Sequence, residues 1–203
     1  GANLTSAYLP GAYLPGADLS YANLSYADIT NTNLRGANLE FANLSSAYLV
    51  GADLSSAYLV GADMRCPFVN SCDSYSLGTN LSYANLSYAL LTYADLSYAN
   101  LSYANLAYAN LYDARLKHTD LRGVNLYAAT LYDATLWASD LSYADLSYAD
   151  LSYVELNYVV MRYADLSYAD LSYADLSGAN LYGVSWYYTI CPDGTYTGDT
   201  GNC

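Results

Sequence analysis

An apolar residue returns at every fifth position along almost the whole chain, and no other feature limits the available folds as strongly. The series opens at Leu4, Leu9, Leu14, Leu19 and Leu24 and still runs at Leu166, Leu171, Leu176 and Leu181. Each sits in a phrase of the form Ala-(Asp/Asn)-Leu-Ser-Tyr, as at Ala144-Asp145-Leu146-Ser147-Tyr148. Five matches neither the helical period of about 3.6 nor the strand period of about 2. A short fixed period sustained along a chain marks a solenoid. Function in such a stacked coil resides on a surface rather than in a pocket.

Thirteen of these centres run from Leu4 to Met64 and twenty-two more from Leu81 to Trp186. The replacements for leucine, Ile29, Met64, Met161 and Trp186, are all apolar. Two residues earlier stands alanine, or a small or β-branched residue: Thr32, Thr79, Thr119, Val124, Ser139, Val154, Val159 and Val184. One position demands bulk and the other smallness, so both face a narrow core. The other three positions vary in polarity and are expected to face out.

This pattern resembles the pentapeptide-repeat family, whose motif is A-(D/N)-L-x-x, over roughly residues 1–64 and 79–188. The resemblance implies an all-β fold, a right-handed quadrilateral β-helix with four repeats per twenty-residue coil. Thirty-five repeats then make about nine coils, a rod roughly 40 Å long at ~4.8 Å between stacked strands. With each buried leucine contributing ~1.5–3 kcal/mol, the core needs no metal or cofactor. The tail, Cys191-Pro192-Asp193-Gly194-Thr195 to Cys203, looks like the endings of secreted-looking bacterial members of the family.

The chain reads as one domain of 203 residues: a first repeat block (1–64), a loop insertion (65–78), a second block (79–188) and a tail (189–203). Cys66 and Cys72 bracket the insertion, and Cys191 and Cys203 bracket the tail. Local pairing closes two small loops and is favoured, because the two pairs lie far apart in the array; zinc would want closer spacing. Two loop disulfides imply an oxidising compartment, extracellular or at the cell surface. The chain opens at Gly1 inside a repeat and without methionine, as a mature chain does after loss of a leader.

A net charge of −13 with six basic residues argues against binding nucleic acid through its phosphates. No stretch approaches the ~20 apolar residues of a membrane span. His118, the single histidine, lies beside Lys117 in a variant patch over 111–138, without the cleft, nucleophile and orienting acid that catalysis requires. No enzymatic activity is expected. Stacked aspartates could attract calcium, but a solvated acidic face is the simpler reading.

There are 27 tyrosines. In the second block they occupy the position two after the centre, at Tyr83 to Tyr108 and Tyr143 to Tyr173. Twenty-residue coils place Tyr83 over Tyr103, Tyr88 over Tyr108, Tyr143 over Tyr163, Tyr148 over Tyr168 and Tyr153 over Tyr173. Soluble monomers rarely expose contiguous aromatic surface on that scale. The expected function is therefore structural: an extracellular protein that assembles with copies of itself. Gly1, Ala2, Asn3 and Leu4 of one rod would meet Leu181, Trp186, Tyr187 and Tyr188 of the next, head to tail, with tyrosines adding lateral contacts. Two other readings stay open. One is a DNA-mimicking protein that binds DNA gyrase, as some members of the family do; the other is a carbohydrate-binding surface.

Overall fold

The computed structural model describes residues 1–65, 78–198 and 201–203. The residue before each apolar centre pairs in parallel with the residue twenty positions on: Asn3 with Asn23, Tyr8 with Asp28, Tyr13 with Asn33, Asp18 with Asn38. These four series make four ladders, and the chain passes through each in turn as it winds a four-sided coil. Across the break in the repeat the step is 27 residues, with Asp53 on Asn80, Tyr58 on Asn85 and Asp63 on Leu90. The uniform step expected from the sequence thus holds on either side of the break and lengthens across it. The expected Cys66–Cys72 pair lies outside the described residues.

Following every backbone N–H of one repeat explains why each position has its residue type. In Ala22-Asn23-Leu24-Ser25-Tyr26, the Ala22 N–H closes a turn onto the Leu19 carbonyl (3.0 Å), and the Asn23 N–H reaches the Ala2 carbonyl one coil back (2.9 Å). Leu24 and Tyr26 donate one coil forward, to the carbonyls of Asn43 (2.7 Å) and Ser45 (3.1 Å). The remaining donor, Ser25 N–H, bonds the Asn23 side-chain oxygen at 3.1 Å. All five donors are satisfied, as a buried backbone requires. The Asp/Asn position is therefore an Asx turn that caps its own corner. The same bond recurs at Asp18, Asp28, Asn33, Asn100, Asp145 and Asp170.

Where tyrosine replaces Asp or Asn, that acceptor is gone. At two of these four sites, Tyr8-Leu9-Pro10 and Tyr13-Leu14-Pro15, the residue after the centre is proline, which has no N–H to satisfy and suits the first corner position of the turn; at Tyr48 and Tyr58 it is Val50 and Val60. The second corner position takes φ near +60°: Tyr26 at 58°, Tyr83 at 59°, Tyr148 at 60°. A turn with φ positive only there is of type II, which ordinarily recruits glycine or asparagine.

The centres and the small residues two before them fill one continuous core from Ala22 to Trp186. Hydroxyls in that core are also satisfied. The Thr32, Thr79, Thr119 and Thr189 side chains donate to the carbonyls of Leu9, Leu49, Leu96 and Leu166 at 2.8–2.9 Å. One sequence expectation needs correction. Of the three positions assigned to the outside, the serine position is in part buried: Ser25, Ser82, Ser102, Ser147 and Ser152 are 7–9% exposed, while Ser87, Ser97 and Ser167 are half-buried. Serine is small enough to tuck under the corner, and Ser102 and Ser147 donate to their own Asx oxygens at 2.7 and 2.5 Å.

Candidate interaction surface

Left-handed φ at each corner swings the side chain off the rod and along its axis, toward the same position in the next coil. Glycines mark the ring's path: a Cβ on Gly123 would stand 2.6 Å from the Tyr103 ring, and one on Gly183 2.6 Å from the Tyr163 ring. Where the next corner is also tyrosine, the rings stack instead. All five expected pairs form, with centroids 5.3 Å (Tyr83–Tyr103), 5.0 Å (Tyr88–Tyr108), 5.3 Å (Tyr143–Tyr163), 4.7 Å (Tyr148–Tyr168) and 4.8 Å (Tyr153–Tyr173) apart and planes within 22°.

The variant patch joins these pairs into longer runs, which the corner pattern alone did not reveal. Tyr127, one residue off the corner, touches Tyr108 edge-on at 5.5 Å and Tyr148 at 5.4 Å. One edge thereby carries rings in contact from Tyr88 through Tyr108, Tyr127, Tyr148 and Tyr168 to Tyr188. Tyr112 and Tyr132 link Tyr93 to Tyr153 on a second edge. On a third, His118 stacks on Tyr98 at 4.9 Å and meets Trp137 at 4.7 Å, so the histidine is one rung of a ladder. The available signal was aromatic residues at the serine position, at Tyr112, Tyr127, Tyr132 and Trp137. Many rings stay exposed, Tyr143 at 67% and Tyr173 at 70%.

The charges lie mostly in the ladders between the edges. Asp120 stands over Asp140, Asp145 over Asp165 and Asp150 over Asp170, and Arg115 over Asp95. Arg65 and Arg122 each turn back onto the aspartate two residues before them, at 2.6 Å. Arg162 lies 5.6 Å from the Tyr182 ring centroid. Arg115, Lys117 and Arg122 share the variant patch, and Arg35, Arg65 and Arg162 lie apart from it. Among the described residues no group of His, Cys, Asp and Glu could hold a metal, and no helix is long and apolar enough to cross a membrane.

Side-chain donation from Ser20, Thr30, Ser177 and Thr195, reinforced by the backbone N–H of the same residues, holds the carboxyls of Asp18, Asp28, Asp175 and Asp193 below the usual aspartate value. Burial, then the neighbouring Asp133, pushes Asp113 the other way. A carboxyl whose pKa is lower folded than unfolded stabilises the fold above the unfolded value, about 3.9, and loses that contribution as pH falls through the folded value. The melting temperature is therefore expected to stay level from neutral pH to about 5 and to drop below about 4. Circular-dichroism melts across that range check this. A melting temperature that rises on acidification would show that relief of repulsion between stacked carboxylates dominates.

The expected assembly residues lie at opposite ends of the ladders. Gly1, Ala2 and Asn3 are exposed, and Leu4 is half-buried. At the other end Leu181 is half-buried, and Tyr187 and Tyr188 are 42% and 43% exposed, whereas Trp186 turns into the core at 7%. The tail returns antiparallel over part of this last coil, pairing Ile190 with Tyr196. Tyr188 N–H donates to the Gly198 carbonyl and Cys191 N–H to the Thr195 carbonyl. Cys191 and Cys203 are disulfide-bonded. Tail and coil bound an open cleft of about 470 Å³ floored by Leu176 and Leu181. The tail thus occupies the backbone edge at Tyr188 that an incoming coil was expected to use.

A family model described as pentapeptide repeats matches in eight copies, over 1–36, 32–65, 79–117, 109–147, 119–157 and 144–183. No protein of curated function matches the chain. Among solved structures, the chain is 32% identical to HetL, a pentapeptide repeat protein involved in heterocyst differentiation regulation from the cyanobacterium Nostoc sp. strain PCC 7120 (96% of this chain, 91% of that one, TM-score 0.40). It is 22% identical to a trypsin-treated variant of QnrB1, a plasmid-mediated fluoroquinolone resistance protein (91% and 88%, TM-score 0.58). It is 27% identical to a pentapeptide repeat protein from the Arabidopsis thaliana thylakoid lumen (58% and 72%, TM-score 0.32). The periodic core, the ladders and the matches over both repeat blocks agree: this chain belongs to the pentapeptide-repeat family, and its rod is that family's right-handed quadrilateral β-helix.

Proposed function

We propose that this protein is a non-enzymatic structural rod, of about nine coils, that associates with copies of itself outside the cell or at its surface. The observation that carries this reading is the run of exposed tyrosines along the edges. Tyrosine is enriched at protein interfaces because it offers a large amphipathic area at low entropic cost. The Cys191–Cys203 disulfide supports an oxidising compartment. The acidic surface that a DNA mimic would present is interrupted on its edges by uncharged phenols.

Two contacts are proposed. Laterally, tyrosine edges of neighbouring rods pack together. Axially, Gly1 to Leu4 meet the part of the last coil the tail leaves open, around Leu181 and Tyr187. With a charge of −13 on each rod, association opposes self-repulsion and should strengthen as salt screens it. The test is sedimentation velocity and electron microscopy of the oxidised protein across concentration and salt. The parent should form particles larger than one rod. Glutamate at Tyr148, Tyr153, Tyr168 and Tyr173 should abolish lateral contact, and proline at Asn3 with lysine at Leu4 should abolish axial contact. All variants should keep their circular-dichroism spectrum. A parent that stays monomeric at high concentration in both low and high salt defeats the proposal.

A further inference from the structure

We propose that the stacked tyrosine pairs are sites of oxidative cross-linking, at which one-electron oxidation joins successive coils of a single rod through dityrosine bonds. The inference concerns one rod and does not depend on association between rods.

The geometry selects particular pairs. Tyr148 and Tyr168 stack at 4.7 Å with planes 11° apart, and Tyr153 and Tyr173 at 4.8 Å and 22°. Tyr88 and Tyr108 stack at 5.0 Å and 6°. Parallel strands related by one coil carry the two rings on equivalent corners, so they meet face to face in like orientation. A phenoxyl radical carries much of its spin on oxygen and the ortho carbons, and coupling starts from such a face-to-face approach. The edge-on pairs, Tyr93–Tyr112 at 84° and Tyr163–Tyr182 at 87°, point an edge at a face and lack that overlap. The phenols are open to solvent, Tyr148 at 51% and Tyr168 at 43%, so an oxidant reaches them and water takes the proton.

The reaction balances with a peroxidase and hydrogen peroxide as oxidant. Each of two phenols gives up one electron and its hydroxyl proton. The radicals form one carbon–carbon bond between ortho positions. Loss of the hydrogen at each coupled carbon and return of a proton to each oxygen restores both phenols. Two electrons and two protons leave in total, and they reduce one hydrogen peroxide to two waters. The product links residues twenty apart, pinning one coil to the next.

The experiment treats dilute oxidised protein with a haem peroxidase and hydrogen peroxide and follows dityrosine fluorescence and the mass on a denaturing gel. Partners held in contact have an effective concentration of at least ~1 mM, so at ~1 µM protein the bond within a rod is favoured about 1000-fold over the bond between rods. Fluorescent product should therefore run as monomer, with a yield per rod that does not change on further dilution. A variant with phenylalanine at Tyr103, Tyr108, Tyr132, Tyr163, Tyr168 and Tyr173 keeps the rings but removes one phenol from each coil-to-coil stacked tyrosine pair among the described residues. It should stay folded and lose nearly all monomeric dityrosine. Random coupling would follow the number of tyrosines, and six lost of 27 would leave more than half of the signal. Retention of most of the signal in the variant, or product found only in covalent dimers at every dilution, overturns the inference.

Discussion

Replacing Leu146 with aspartate is expected to cost about 4 kcal/mol or more, because it deletes a buried leucine and leaves a carboxylate without a partner in the core. Leu146 is fully buried, with coils on both sides and Leu126 and Leu166 in register with it. A four-sided coil this narrow offers a charged side chain no route to water. The thermal transition should fall by tens of degrees or vanish. The neighbouring Ser147→Asp is the informative control. Read from sequence, Ser147 faces out and its replacement should be nearly free. In the structure it is 8% exposed and donates to the Asp145 carboxylate at 2.5 Å. Its replacement sets one carboxylate against another and should cost about 1–3 kcal/mol. Equal losses for Leu146→Asp and Ser147→Asp would refute this placement of the core.

The second large effect concerns the corners. Tyr148 holds φ at 60°, a conformation that costs a β-branched residue about 1–3 kcal/mol. Tyr148→Val should therefore lose that amount together with the ~0.5–1.5 kcal/mol of stacking on Tyr168. Tyr148→Gly loses the same ring contact but accepts the left-handed turn without strain. Despite being the smaller residue, glycine should melt higher than valine at this site. The reverse order would mean that the ring, rather than the backbone, sets the corner's stability. Glycines at equivalent corners, Gly123 at 62° and Gly183 at 75°, show that the rod already uses this substitution.

Most of the fold was legible in the sequence because a solenoid turns local pattern directly into structure. Leucine every five residues with alanine two before it specifies an inside and a corner. The twenty-residue stacking that pairs Tyr148 with Tyr168 followed from the resemblance, and the ladders carry it. The placement of Trp186 within the core also follows, since it stands at a centre.

What the sequence could not supply were relations between positions whose partners the repeat does not name. Serine varies like a surface residue, and its burial becomes visible only once the Asx oxygen two residues earlier is seen to bind it. Tyr8 with Pro10 and Tyr13 with Pro15 look like irregularities until the missing Asx acceptor and the missing proline donor are seen as one substitution. Tyr127 joins two stacked pairs into one run because its ring reaches both Tyr108 and Tyr148, and that reach depends on side-chain direction across three coils. The Cys191–Cys203 bond is the local pairing expected from the sequence, but the tail's course across the last coil comes from antiparallel pairing on Thr189–Cys191, which no period encodes. The sequence by itself determined which residues line the core and which occupy corners, because those are properties of a single repeat. Tertiary structure alone decided which surfaces remain open, because that depends on what each coil meets above and below.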